Sequence, residues 1–147
     1  MTAPITLYTH PMSRGRTARW MLEECGATYD TVVLDYGTSM KAPAYLAINP
    51  MGKVPALTHG DIVVTEQAAI CAYLADLFPE KKLAPAVGSP QRGAYYRWLF
   101  FAAAPLEAAF VGKFQRVHGQ GHPYLCGEQF TAADLYLAAA LDRKSVV

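Results

Sequence analysis

An excess of charge of either sign is missing from this chain: its 147 residues carry 13 Lys+Arg against 12 Asp+Glu, a net charge of +1. Without a basic excess there is no field to gather a polyanion, so nucleic acid is not an expected partner. Long hydrophobic runs are missing too. The most apolar stretch, residues 98–112, is too short to cross a bilayer and contains Pro105 and Glu107, so no membrane partner is expected. The opening Met1-Thr2-Ala3-Pro4 has no basic region, and no secretory signal is expected. Cysteine is scarce. Cys25, Cys71 and Cys126 are odd in number, widely spaced and without a CxxC pair, which reads as reduced thiols in a cytoplasmic protein. Repeats and low-complexity tracts are absent. Core material is plentiful: hydrophobic residues make up 52% and aromatics 12% of the chain, and the mean hydropathy is +0.10. That excludes a disordered chain and suffices for one ordinary domain or two small ones.

The pattern along the chain gives an order of elements. Ile5-Thr6-Leu7-Tyr8 is a β-prone run stopped by His10-Pro11. Residues 13–25 place Ala18, Met21, Leu22 and Cys25 at helical spacing, and Gly26 stands where a C-terminal cap belongs. Residues 29–34 are rich in Val and Thr and read as a second strand, closing a right-handed parallel βαβ unit. A short helix is expected near 44–48. Residues 54–58 and 62–64 flank His59-Gly60-Asp61 as a hairpin. Thr65 is the expected N-cap of a helix with the stripe Ile70, Leu74, Leu77 and Phe78, ended by Pro79. After a linker over 79–90, Ser89-Pro90 opens a long helix expected to run to 117 and to kink at Pro105. Thr131 and Asp134 form a capping box for a last helix that stays apolar through Leu141.

At this point the residues resemble the glutathione transferase family. The carriers are Leu7-Tyr8-Thr9-His10-Pro11-Met12-Ser13-Arg14, Asn49-Pro50-Met51-Gly52-Lys53-Val54-Pro55-Ala56-Leu57 and Thr65-Glu66-Gln67-Ala68-Ala69-Ile70. Tyr124-Leu125-Cys126-Gly127-Glu128 and Phe130-Thr131-Ala132-Ala133-Asp134 extend the likeness into the C-terminal part. The nine-residue Asn-Pro-Met-Gly-Lys-Val-Pro-Ala-Leu stretch is the most specific of these. The resemblance implies an α/β fold: a thioredoxin-like N-terminal domain, β-α-β-α-β-β-α, over residues 1–80, followed by a shortened all-helical domain over 89–147. It also implies glutathione as co-substrate, with no metal.

The site residues follow from the same likeness. In the family the proline at Val54-Pro55 is cis, and the residue before it offers its backbone N–H and C=O to the cysteinyl unit of glutathione. Read alone, without the motif, Pro55 is a trans proline starting an edge strand. Glu66 and Gln67 open a helix whose free N–H groups and positive end suit the γ-glutamyl carboxylate, with an ordinary dipole-compensated helix start as the plain reading. The family more often has Ser at the position of Gln67, whose amide can still donate. Lys41 and Lys53 are candidates for the glycine carboxylate, or surface lysines.

Glutathione reacts as thiolate, whereas a free thiol with a pKa near ~8.5 is mostly protonated at neutral pH. Ser13, at the first helix start, is the expected catalytic hydroxyl, with Arg14 and Arg16 adding positive potential; a plain N-cap is its other reading. Tyr8 and Thr9 are the alternatives. With no cysteine here, the cysteine-based thiol-reductase branch is disfavoured. His118 and His122 have metal-like spacing but no third ligand nearby in sequence, so no metal is expected. The cluster Trp98, Phe100, Phe101 reads as core or subunit contact, or as the wall of a hydrophobic substrate pocket.

Where the family carries the rest of one long helix and a whole second one, only thirteen residues separate Phe110 from Tyr124. The chain also stops after Asp142-Arg143-Lys144-Ser145-Val146-Val147, where further helices would follow. The leading expectation is an enzyme that activates glutathione for attack on small electrophiles. The rival is a glutathione-binding or interaction protein, or a shortened remnant, without turnover. A shortened helical half leaves an apolar face on helix 89–117, so a homodimer or larger assembly is expected to cover it, or else marginal stability and aggregation on warming.

Overall fold

In the computed structural model, residues 3–106, 108 and 109 are described. They fall into two units, one ending at Tyr95 and the other beginning at Tyr96. The first unit holds four strands, β1 (Ile5–Thr9), β2 (Asp30–Val33), β3 (Ala56–His59) and β4 (Ile62–Thr65). With them are α1 (Gly15–Cys25), α2 (Pro43–Leu46) and α3 (Gln67–Leu77). The sheet order is β2-β1-β3-β4, with β1 parallel to β2 and antiparallel to β3, and β3 antiparallel to β4. This is the thioredoxin-like α/β arrangement that the residues suggest.

Alternation in β1 divides the core. Ile5, Leu7 and Thr9 are buried on one face. There Ile5 and Leu7 join Ala18, Leu22 and Cys25 of α1 and Ile70 and Leu74 of α3. Tyr8 turns to the other face and packs with Leu34, Met40, Tyr45 and Ala56. The stripes on α1 and α3 are therefore the positions that the helical spacing marks. Gly26 ends α1 at φ 62°, and its N–H is accepted by the Glu23 carbonyl at 2.9 Å.

One cap differs from the sequence reading. Thr65 is not the N-cap of α3 but the last residue of β4, where it pairs with Ala56. The ladder holds Thr65 extended, so the turn into the helix falls on Glu66. Beyond α3, the buried Arg92 guanidinium forms a bidentate pair with Asp76 at 2.8 and 2.6 Å and donates to the Pro85 carbonyl at 2.7 Å. It thereby fixes the 79–90 segment against α3. Helix α4 (Gln91–Phe101) starts just after Ser89-Pro90, and the Ser89 carbonyl accepts the Arg92 N–H at 3.0 Å. The break expected at Pro105 takes the form of a π-helical turn over Ala102–Leu106. Several expectations lie outside the described residues: the continuation of this helix to 117, the His118/His122 pair, Cys126, and the Thr131/Asp134 box with its helix. Among the described residues no helix is long and apolar enough to cross a membrane, and no cluster of His, Cys, Asp and Glu could hold a metal.

Candidate functional site

Strand register brings three separated segments to one end of the sheet. Tyr8 pairs with Ala56, so the segment leaving β1 emerges beside the one entering β3. Ala56 pairs with Thr65, which sets Pro55 and Val54 beside Glu66 and Gln67. Thr9 pairs with Val33, and the Leu34 N–H donates to the Thr9 carbonyl at 2.9 Å, so residues 34–37 leave the sheet beside residues 10–13. Ser13, Val54, Pro55, Glu66 and Gln67 thus share the end of the sheet where the sequence reading puts a ligand.

The loop before β3 is built from its own side chains. Asn49 is buried; its Oδ1 accepts the Met51 N–H at 3.1 Å and its Nδ2 donates to the Lys53 carbonyl at 2.8 Å. Tyr45 donates its hydroxyl to the same carbonyl, and burial, ahead of other causes, pushes its pKa up, which keeps it a donor. Lys41 Nζ donates to the carbonyls of Met51 at 3.2 Å and Gly52 at 2.9 Å. Gly52 has φ 57°, and a methyl group there would stand 2.8 Å from Lys41 Nζ and 3.0 Å from Leu46 Cδ2. Lys41 is therefore part of the loop's scaffold in this geometry, whereas the Lys53 side chain is exposed. Asn49 has no role in the sequence reading; its signal is the Asx turn that Asn followed by Pro and Gly favours.

The product of this scaffold is Val54. The Val54–Pro55 peptide is cis, and neither the N–H nor the C=O of Val54 finds a partner among the described residues. Beside it, Glu66 has φ 67° and ψ 124°, a conformation that costs a non-glycine residue about 1–3 kcal/mol. It makes no side-chain cap, and the amides of Gln67, Ala68 and Ala69 are left without a partner among the described residues. One free peptide edge and one open helix N-terminus therefore lie together. Both suit an extended peptide carrying a carboxylate.

Ser13 stands two residues ahead of α1. Its Oγ donates to the His10 carbonyl at 2.7 Å and accepts the Gly15 N–H at 3.0 Å, so the single hydroxyl proton is held within the loop. Thr9 is buried, and its Oγ1 lies 3.5 Å from the His10 carbonyl; the half-buried Tyr8 ring packs on Tyr45 with 5.6 Å between centroids. Arg14 occupies the N-cap position of α1 without a side-chain cap bond. Gly15 went unread in the sequence. A methyl group there would overlap Thr9 Oγ1 and stand 2.9 Å from Thr9 Cβ, so α1 approaches β1 this closely only through glycine.

Residues 3–76 match the family model of the glutathione S-transferase N-terminal domain. The chain belongs to the glutathione S-transferase family. It is 30% identical over 164 aligned positions to glutathione S-transferase GST-4.5 of Xanthomonas campestris, covering 92% of this chain and 80% of that one. That alignment is longer than the 147-residue chain, so the relative carries internal residues with no counterpart here, and the helical part is shortened. The probable glutathione S-transferase GSTF2 of Oryza sativa subsp. japonica is 44% identical over 80 residues, 49% of this chain. That match spans about a third of the rice protein, 34%. A sphingomonad glutathione S-transferase solved with glutathione superposes at a TM-score of 0.64 and 36% identity, over 74% of this chain and 56% of that one. Family membership makes the chain glutathione transferase-like. It agrees with the fold.

Proposed function

We infer that the chain binds glutathione at this end of the sheet and activates its thiol for attack on small electrophiles, a detoxifying conjugation. The observation that carries this is the N–H and C=O of Val54, unpaired among the described residues, beside the open N-terminus of α3. Val54 pairs with the cysteinyl unit as a strand would, next to Pro55. The γ-glutamyl carboxylate takes the free amides of the α3 first turn, including that of Gln67, while Glu66 accepts from the α-ammonium group. Lys53 reaches for the glycine carboxylate, and Lys41 joins it by releasing a loop carbonyl. No metal takes part. Ser13 Oγ donates to the sulfur, its proton turning from the His10 carbonyl as the thiolate forms. Each unit by which the thiol pKa falls requires about 1.4 kcal/mol of preferential interaction with the thiolate. In this reading residues 1–80 form the glutathione domain, residues 89–147 a shortened helical domain, and the protein is a cytoplasmic homodimer.

The proton that Ser13 spends on His10 favours a second reading, glutathione binding without turnover. Titration calorimetry with glutathione and turnover of a generic aryl halide, run on the same sample, separate the two. Binding with turnover is expected, and Ser13→Ala is expected to raise the bound-thiol pKa by about one unit, leaving affinity nearly unchanged. Binding without turnover selects the second reading, and absence of binding overturns both.

A further inference from the structure

We propose that His10 and Tyr36 are positioning residues that hold the peptide ahead of Ser13 in place, an assignment that rests on the reading of Ser13 as the thiol's donor. The two residues come from different segments, one leaving β1 and one leaving β2, which the parallel register sets side by side. Between them they take both backbone polar groups of Met12. The Met12 N–H donates to His10 Nδ1 at 3.1 Å, and the Tyr36 hydroxyl donates to the Met12 carbonyl at 3.3 Å. The two rings lie against each other with centroids 4.4 Å apart. The His10 carbonyl closes the same loop from its other end, accepting the Ser13 N–H at 3.0 Å and the Ser13 hydroxyl at 2.7 Å. Pro11, at the second position of this turn, contributes a fixed φ.

Ser13 is tied in further through its hydroxyl, which accepts the Gly15 N–H at 3.0 Å and the His10 N–H at 3.4 Å, and through its carbonyl, which accepts the Arg16 N–H at 3.3 Å. The α1 N-cap position is taken by Arg14, which makes no side-chain cap bond. Met12 is the residue of this loop whose two backbone hydrogen bonds both go to side chains, so a change at His10 or Tyr36 shifts the peptide that leads into Ser13. Neither ring need touch glutathione for this purpose. In the neutral tautomer that accepts from Met12, the His10 proton is on Nε2. The i-to-i+2 bond from His10 is also the bond that an Asn side chain makes in an Asx turn. His10→Asn therefore restores the Met12 acceptor without a ring, whereas His10→Ala removes it.

The test is the pKa of enzyme-bound glutathione, read from the ultraviolet absorbance of its thiolate, for the full chain and for Ser13→Ala, His10→Ala, His10→Asn and Tyr36→Phe. Expected are a rise of about one unit for Ser13→Ala and for His10→Ala, a smaller rise for Tyr36→Phe, and a value near that of the parent for His10→Asn. Adding His10→Ala to Ser13→Ala is expected to change nothing further. The affinity for glutathione stays within about twofold throughout, a separation that general loosening of the fold does not give. If Ser13→Ala raises the pKa while His10→Ala and Tyr36→Phe leave it alone, the clamp is overturned and the Ser13 reading stands. If Ser13→Ala has no effect, that reading falls and the clamp with it. Should His10→Ala fail to fold, Tyr36→Phe and the His10→Asn comparison decide alone: no rise in the first, or a full rise in the second, overturns the proposal.

Discussion

Replacing the hydrogen of Gly15 by a methyl group brings two opposed effects into one position. In a helix, alanine in place of glycine is favourable by roughly 0.5–1 kcal/mol, because the unfolded chain has less freedom to lose. Here the methyl would overlap Thr9 Oγ1, and Thr9 is buried, short and β-branched, so it cannot swing aside. Overpacking costs about 1–3 kcal/mol and decides the sign. Gly15→Ala is therefore expected to lower the denaturant midpoint, and Thr9→Ala in the same chain to recover part of the loss; an unchanged midpoint in the single variant defeats the argument. This is also where the sequence was least legible. A glycine after Ser-Arg has the look of a helix start, and nothing local says which strand end it faces. Asn49 is hidden for the same reason, since its two bonds close a loop whose path is set by Tyr45 and Lys41 elsewhere. Ser13, Val54, Pro55, Glu66 and Gln67 were singled out by the family resemblance rather than by any local pattern, and the strand register shows only that their segments meet at one end of the sheet. The commitment of the Ser13 proton to His10 was not legible, because it depends on a rotor.

At the scale of elements, periodicity located α1 and α3 and their buried stripes, and the register of the hairpin moved the cap expected at Thr65. Strand pairing outranks a local capping preference: Thr65 has the right side chain to cap α3, but the ladder to Ala56 takes it first. The short α2 and the edge strand β2 were placed only approximately, since β2 is exposed along its length and has no alternation to read. The contact of α1 with α3 makes a prediction of its own. Cys25 is buried and donates weakly to the Leu74 carbonyl at 3.8 Å. Cys71 on α3 has its pKa raised from 9.0 to about 11, chiefly by burial and next by the Cys25 thiol. A raised folded-state pKa means the native chain prefers the neutral thiol. The resulting stabilisation is fully present below the unfolded value and is lost as pH rises from about 9 towards 11. Denaturant unfolding across that range is expected to show a falling stability that Cys71→Ala flattens. If the two chains lose stability in parallel, burial of Cys71 is not what governs the alkaline limb.

For the whole molecule the question is what α4 does with its aromatic residues. Trp98 is 58% and Phe100 62% exposed, and Tyr96 and Phe101 are exposed with them. The rings form two close pairs, Tyr96 with Phe100 at 6.4 Å and Trp98 with Phe101 at 5.7 Å. Scattered exposed apolar residues are ordinary, but two exposed aromatic pairs within six positions are apolar surface of the kind that subunit contacts use. At roughly 25 cal/mol per Å2, burying a few hundred Å2 of it contributes several kcal/mol, comparable with the net stability of a domain. The homodimer proposed above gives that surface a role, and it has a thermodynamic signature. Where unfolding is coupled to dissociation, each tenfold dilution removes about 1.4 kcal/mol. For a chain of this length that is a fall of about 3–5 °C in the thermal midpoint. Trp98→Ser with Phe101→Ser is expected to halve the mass seen by light scattering and to make the midpoint independent of concentration. A parent chain that already scatters as a monomer, with one midpoint at every dilution, removes the dimer and requires these four rings to be covered by the chain's own residues.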